Sequence, residues 1–408
     1  MKDQLISGLD IGSTEIKVAV GQIREEDGKI DIIGLSRHPS EGVNRGVIIS
    51  IEDAVASISK CLEKVERMIG FSLSSAFVGI SGTRIICQRG RGIISVSNPK
   101  EIREEDEERA IENAQTVATP LNYEVIQTIP LFFNVDDQQR IRDPLGMSGR
   151  RLEVEAEIIL GLNTHIENIR KCVTRSGLYI DALFFSILAA AEVVTTLRQK
   201  ELGVVVVDLG GTTTSLAVFE EGNLLLAKVL PIGGNHITND LALGLRISID
   251  LAEKIKLIYG TALSKEVSRR KEIRLEELDE QEKEVVSQKD VADIVEPRVE
   301  EIFRMVDKEL VAIGRSGKLP GGVILTGGGA KLKGVADVAK RVLRLPVSIG
   351  YPRRINSVID KIDDPSFITA IGLIAKAFGE MGAVSVQPSH LKRIIKKVGN
   401  WFKIISTP

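Results

Sequence analysis

Short apolar runs broken by glycine-bearing polar turns make up much of the chain, and two of these units repeat one design. Near the start, Gly8-Leu9-Asp10-Ile11-Gly12-Ser13-Thr14 runs into Glu15-Ile16-Lys17-Val18-Ala19-Val20. In mid-chain, Val204-Val205-Val206-Val207-Asp208-Leu209-Gly210-Gly211-Thr212-Thr213-Thr214 runs into Ser215-Leu216-Ala217-Val218-Phe219. Each predicts an apolar strand, an Asp, a glycine turn carrying hydroxyls, and a second apolar strand. A third apolar run, Val323-Ile324-Leu325-Thr326, ends in Gly327-Gly328-Gly329-Ala330 with a helical period behind it. Elsewhere the pattern predicts a helix over residues 52–68, an acidic helix over 102–118 and a strand over 123–135. Residues 262–290 alternate Lys, Arg and Glu and read as a solvated helix or mobile loop.

The repeated turn has the order a phosphate site needs. Glycines let backbone N–H groups approach an anion, hydroxyls add donors, and an Asp holds a hydrated divalent cation. A single Asp-x-Gly turn is an ordinary strand connection. Two copies, with the triple glycine beside them, favour a clamp that grips a nucleoside triphosphate from both sides. At 408 residues and 43% apolar content, the chain can build two lobes, each with its own core. A net charge of −2 gives no global pointer to nucleic acid. Cys61, Cys87 and Cys172 are scattered without CxxC spacing, which suits a reducing cytoplasm. No zinc-site spacing links the histidines. The first residues lead directly into a strand, so no signal peptide is expected, and no apolar stretch is long enough to span a bilayer.

The final segment has a different character. After a short linker at residues 379–388, Leu391, Ile394, Ile395, Val398, Trp401, Phe402 and Ile405 fall within an arc of about 120° on a helical wheel. Lys392, Arg393, Lys396, Lys397 and Lys403 lie opposite or at its edges, and the segment has no acid. Ser389 is placed to cap its start. A helix of this kind lies in a membrane interface, with Trp401 and Phe402 at headgroup depth and the cations toward anionic lipid. The alternative is a core helix folded back on the domain. A core helix rarely gathers the chain's only Trp and five cations behind a flexible linker.

On these motifs the chain resembles the actin-like ATPases: α/β proteins of two lobes around a central nucleotide cleft. Residues 8–21 match the first phosphate segment, the run from Val204 the second, and Gly327, Gly328 and Gly329 the adenosine segment. Residues 186–192 and 367–375 match the two connecting helices, whose small residues suit a close crossing at the hinge. The resemblance implies ATP with Mg2+ as ligands. Gly12, Ser13, Thr14, Lys17, Gly210, Gly211, Thr212 and Thr213 would hold the phosphates. Asp10 and Asp208 would hold the metal through water. Gly233, Gly234 and Asn235 would line the cleft, with Glu253 toward the ribose and Lys256 near the adenine. Efficient members of the superfamily place a Glu or Gln at the start of the first connecting helix to orient the attacking water. Here that position is Ser186, a poor base, so tight binding with at most slow turnover is expected. Glu192, later on the same helix, is the alternative if the alignment is displaced by a turn or more.

Within that superfamily, Ser40-Glu41-Gly42-Val43-Asn44-Arg45-Gly46-Val47-Ile48, Ala76-Phe77-Val78-Gly79-Ile80-Ser81-Gly82-Thr83 and the run from Asp143 to Val154 resemble the FtsA family of bacterial cell division. The likeness runs from about Leu5 to Phe378. It implies an FtsA-type subdomain 1C at residues 83–162 in place of actin subdomain 1B. Subdomain 1A would take 1–82 and 163–199, with 367–378 returning at the hinge. Subdomain 2A would take 200–230 and 305–366, subdomain 2B 231–304, and the amphipathic helix 389–408. The implied function is an actin-like protein that polymerises on the inner membrane and tethers the FtsZ ring there, with ATP as a switch more than a fuel. The implied partners are further copies of the chain, the FtsZ C-terminal peptide at subdomain 2B, anionic lipid, and downstream division proteins at subdomain 1C. Arg269, Arg270, Lys271 and Arg274 would attract an acidic peptide. The alternatives are a PilM-like pilus assembly protein, which would not need the basic tail, and a small-molecule kinase, which would need a catalytic carboxylate.

Overall fold

The computed structural model describes residues 5–24, 29–280, 282–353, 355–357 and 359–382. The amphipathic segment expected at 389–408 and residues 383–388 of the expected linker lie outside the described residues, while residues 379–382 of that linker continue the last helix. The chain opens with an antiparallel meander, β1 (Leu5–Ile11), β2 (Glu15–Ile23) and β3 (Ile30–Pro39). A small hairpin, β4 (Val43–Asn44) and β5 (Val47–Ile48), leads into α1 (Ile51–Ile69). Ser50 caps α1 by accepting the Asp53 N–H, and Gly70 ends it at φ 78°. After β6 (Ser75–Ile80) come β7 (Ile85–Ser95), α2 (Glu104–Ala118), β8 (Tyr123–Val135), β9 (Gln138–Ile141) and β10 (Arg151–Leu162). The chain then returns through α3 (Asn163–Arg175) and β11 (Tyr179–Phe185), and crosses between lobes on α4 (Ser186–Val194) and α5 (Leu197–Leu202).

The second lobe repeats the opening meander as β12 (Val204–Leu209), β13 (Thr214–Glu220) and β14 (Asn223–Leu230). Next come α6 (Gly234–Leu245), α7 (Ile249–Tyr259), β15 (Glu272–Arg274), β16 (Val285–Ser287) and α8 (Gln288–Ala312). It closes with β17 (Val323–Thr326), α9 (Val335–Leu343) and β18 (Val347–Ile349), before β19 (Asn356–Ser357) and α10 (Ile368–Gly382) go back to the first lobe. The two main sheets share one plan. The first runs β11-β6-β1-β2-β3 with β19 added at its edge, and the second runs β18-β17-β12-β13-β14. In each, the meander is antiparallel and the later strands add in parallel to the first strand of the meander.

Small residues let the connecting helices approach one another and the sheet. A Cβ at Gly372 of α10 would lie 2.1 Å from the Ala189 carbonyl oxygen of α4, and one at Gly8 of β1 would lie 2.3 Å from that of Ala370. The inserted segment forms its own sheet, β7-β10-β8-β9, with α2 across one face. Ala110 and Ala114 of α2 pack there against Val154 and Ile158. The far corner of this sheet reaches the second lobe, where Arg140 pairs with Glu221 at 2.8 Å and Arg142 with Glu201 at 3.2 Å. The acidic helix starts at Glu104, two residues later than the pattern suggests, because Ile102 is buried and its backbone is tied to Gly146 and Met147. The charged stretch also differs from its expected helix or mobile loop. It carries β15 paired with β16, anchored by buried Ile273 and Leu275.

Candidate functional site

The two glycine turns face each other across the lobes. On the first, cross-strand register sets Asp10 opposite Lys17; on the second, it sets Asp208 opposite Ser215. Gly12 and Gly210 play equivalent parts. A Cβ would lie 2.6 Å from the Glu15 carbonyl oxygen in one turn and 2.8 Å from that of Thr213 in the other. The turns then diverge by one side chain. Where the first has Ser13, the second has Gly211, and a Cβ there would lie 1.8 Å from Thr14 Oγ1 of the opposite turn. Gly211 is therefore glycine because the other lobe occupies its side-chain position.

Asp10 and Asp208 sit at the floor of this junction. Burial pushes the Asp10 carboxyl up to about 6, with the Lys17 ammonium opposing the rise and Asp208 and Glu15 adding to it. Burial also raises Asp208, opposed by Lys17 and by two hydroxyls. Those hydroxyls are Thr326 Oγ1 at 3.2 Å, from the end of β17, and Thr369 Oγ1 at 3.4 Å, from α10. Two neighbouring buried carboxylates that share one lysine gain from a further cation. Among the described residues no cluster of three or more His, Cys, Asp or Glu side chains is placed to hold a metal. With this donor set, an ion would complete its shell from water and ligand oxygens.

Ser186 opens α4 next to this floor. Its Oγ is buried and has no hydrogen-bond partner among the described residues. A Cβ at Gly79, which is in register with Asp10, would lie 2.8 Å from that oxygen. An orphaned hydroxyl beside the strand of Asp10 fits a water or an incoming ligand oxygen. Glu192 does not share this position. Six residues further along α4, about 9 Å along its axis, it pairs with Lys200 at 3.0 Å. There it lines a separate cavity of about 200 Å³ with Lys29, Arg353 and Phe378.

The remaining sequence candidates divide into those that face the junction and those that support it. The Gly234 and Asn235 N–H groups donate to the Gly210 and Gly211 carbonyls at 2.9 and 2.7 Å. A Cβ at Gly233 would lie 2.6 Å from the Gly210 oxygen. These three residues brace the second turn, and the two amides are already engaged. Lys256 Nζ contacts Glu253 at 2.6 Å, Thr238 Oγ1 at 2.8 Å and the Gly234 carbonyl at 3.3 Å, so α7 and the start of α6 form one polar patch. Gly327 has φ 82° and packs on Asp208 and Leu209, as Gly329 packs on Leu209, whereas no heavy atom approaches a Cβ at Gly328. Of the triple glycine, Gly328 alone borders open space.

Three contributors escaped the sequence reading. Thr326 and Thr369 reach Asp208 across 118 and 161 residues, and no local pattern in the sequence marks either as its partner. The third is the tip of the β4–β5 hairpin. Gly46 N–H donates to Ser13 Oγ at 2.9 Å, and Arg45 N–H donates to Thr212 Oγ1 at 3.1 Å.

Paired hairpin turns, duplicated sheets and two crossing helices define the actin-like ATPase fold. Solved structures agree at the level of fold. PilM of a PilM–PilN type IV pilus biogenesis complex matches with a TM-score of 0.66 at 16% identity, over 91% of this chain and 98% of that one. MreB5 of Spiroplasma citri bound to AMPPNP matches with 0.55 at 14% identity, over 94% and 98%. The family profile "Cell division protein FtsA" matches residues 205–372, and "SHS2 domain inserted in FTSA" matches residues 82–160. FtsA of Pseudomonas aeruginosa is 36% identical over 91% of this chain and 88% of its own length. FtsA of Bacillus subtilis is 39% identical over 91% and 83%, and that of Escherichia coli 32% over 99% and 97%. The chain belongs to the FtsA family of cell-division proteins. Tethering FtsZ to the membrane is the role of that family, and the division septum is its place of work. The likeness to PilM is one of fold alone.

Proposed function

We propose that the cleft between the lobes binds ATP with Mg2+, and that the nucleotide-bound chain polymerises on the cytoplasmic face of the inner membrane to hold the FtsZ ring there. The observation that carries the nucleotide reading is the meeting of Asp10 and Asp208 beneath two glycine turns that touch across the lobes. The phosphates lie against Gly12, Ser13, Thr14, Lys17, Gly210, Gly211, Thr212 and Thr213. Asp10 and Asp208 hold Mg2+ through water, and Gly328 borders the nucleoside. Glu253 and Lys256 turn from each other toward ribose and base when the ligand arrives. Spiroplasma citri MreB5, of the same fold, has been solved with ADP and with AMPPNP. Ser186 Oγ accepts a hydrogen bond from the attacking water but is too weak a base to take its proton, so turnover is slow. Titration of a fluorescent ATP analogue, with and without Mg2+, tests this. Affinity should drop at least tenfold without the metal, and equal affinity would overturn the two-Asp assignment.

The tether has two ends. The segment 389–408 supplies the membrane end through its apolar arc and basic edges. At roughly 1 kcal/mol per cation on an acidic surface, binding is reversible for one chain and strengthened by avidity in a polymer. The FtsZ end is the surface around β15 and β16, where Arg269, Arg270, Lys271 and Arg274 are exposed and suit an acidic peptide. The inserted domain is the surface for downstream division proteins and filament contacts. Co-sedimentation with anionic liposomes, comparing the full chain with one ending at Pro388, tests the membrane end. The full chain should pellet and the truncated chain should not.

A further inference from the structure

The β4–β5 hairpin has a feature that neither its length nor its lobe requires. Asn44 pairs with Val47, so Arg45 and Gly46 form a two-residue turn, with φ 50° and 74°. Both are left-handed, as in the tight hairpin turn that favours Asn-Gly. An arginine in that conformation costs about 1 kcal/mol relative to glycine, so the surroundings must hold it. They do so from both sides of the cleft. Gly46 N–H donates to Ser13 Oγ on the first lobe's turn, and Arg45 N–H donates to Thr212 Oγ1 on the second lobe's turn. The tip is also wedged below. A Cβ at Gly46 would lie 2.6 Å from Gly82 Cα and 2.9 Å from the Ser81 carbonyl oxygen. Ser81 Oγ in turn lies 3.4 Å from Ser215 Oγ of the second lobe.

The direction of these bonds matters. A hydroxyl that accepts an N–H keeps its own hydrogen to donate elsewhere. Ser13 and Thr212 are thus fixed as donors by one rigid turn, and the Thr212 bond exists only while the lobes are together. We propose that the Arg45–Gly46 tip is a cross-lobe clasp: its adjacent N–H groups orient the Ser13 and Thr212 hydroxyls toward the nucleotide phosphates and keep the cleft shut on them. This rests on the reading of the cleft as an ATP site. The clasp closes with the ligand, since phosphates that pull the two turns together also bring Thr212 under Arg45 N–H.

The test uses the full chain and its Gly46→Ala variant, in which the added methyl meets Gly82 and lifts the tip. Hydrogen exchange of the peptide containing residues 43–48 is followed with and without Mg-ATP, and release of a fluorescent ATP analogue is timed by stopped flow. ATP should slow exchange at the Arg45 and Gly46 amides by about tenfold or more, and Gly46→Ala should speed release by about tenfold. The proposal is overturned if ATP binds the wild-type chain yet leaves exchange at these amides unchanged, or if a folded Gly46→Ala variant releases at the wild-type rate. Should the variant not fold, exchange in the wild-type chain decides. If the wild-type chain does not bind the analogue, the ATP site itself is wrong and the clasp falls with it.

Discussion

At neutral pH the Asp10 carboxylate is charged in a place where burial lifts its pKa to about 6, against 3.8 when unhindered. The folded state therefore holds the Asp10 proton more tightly than the unfolded state does. The stability this contributes is complete below about 4 and is lost as pH rises through about 6. Asp10→Asn removes the penalty, so it should stabilise the ligand-free chain at pH 7.5 by about 1–3 kcal/mol while abolishing Mg2+-dependent ATP binding. Thermal unfolding with and without Mg-ATP reads both effects at once. For the intact chain, Mg-ATP affinity should weaken as pH falls through about 6, because the protonated acid no longer holds the hydrated metal. Gly211→Ala would place a methyl on Thr14 of the opposite turn, so the lobes should fail to close and nucleotide affinity should fall by about tenfold or more, read by the same titration. Asp10, Asp208 and the turn glycines were legible because strand, acid and glycine are contiguous in each copy. Gly233, Gly234 and Asn235 were expected to line the cleft, but sequence does not show that the Gly234 and Asn235 amides already serve the Gly210 and Gly211 carbonyls.

Among the elements, α4 and α10 bear the greatest constraint. They carry Ser186 and Thr369 to the site from opposite lobes' connections, and their approach depends on Gly372 facing the Ala189 carbonyl. Gly372→Ala would force that crossing apart. It should cost about 1–3 kcal/mol of stability, visible as a lowered denaturation midpoint with unchanged slope, and should weaken nucleotide binding as well. The elements whose bounds the pattern did predict lie near them: β8 spans residues 123–135 as expected, and α1 starts and ends one residue outside its expected range. Residues 262–290 were misread because charge dominates the pattern there. Ile273 on β15 and Val285 and Val286 on β16 mark the small sheet, with Leu275 just beyond it, and runs this short do not establish a period.

Taken whole, the molecule is joined in more than one place. The hinge helices connect the lobes on one side, and Arg140 and Arg142 of the inserted domain reach Glu221 and Glu201 of the second lobe on another. These pairs are more than half exposed, so each adds only about 0–1 kcal/mol. Arg142→Glu should change stability little, with any loss recovered by adding Glu201→Arg and erased in high salt, as a double-mutant cycle at two ionic strengths would show. The duplicated sheet plan was legible from the repeated turn, and the return of residues 367–378 at the hinge was expected through the family resemblance, but the pairing of β19 with β3 was not foreseen. That return has a consequence during synthesis. Polypeptides emerge amino end first and begin to fold as they appear, yet the β1 face beneath Ala370 and the β3 edge beside β19 are covered only by segments made after the entire second lobe. The first lobe thus leaves the ribosome with that face and edge of its sheet uncovered, and they stay so until the second lobe, β19 and α10 have been translated.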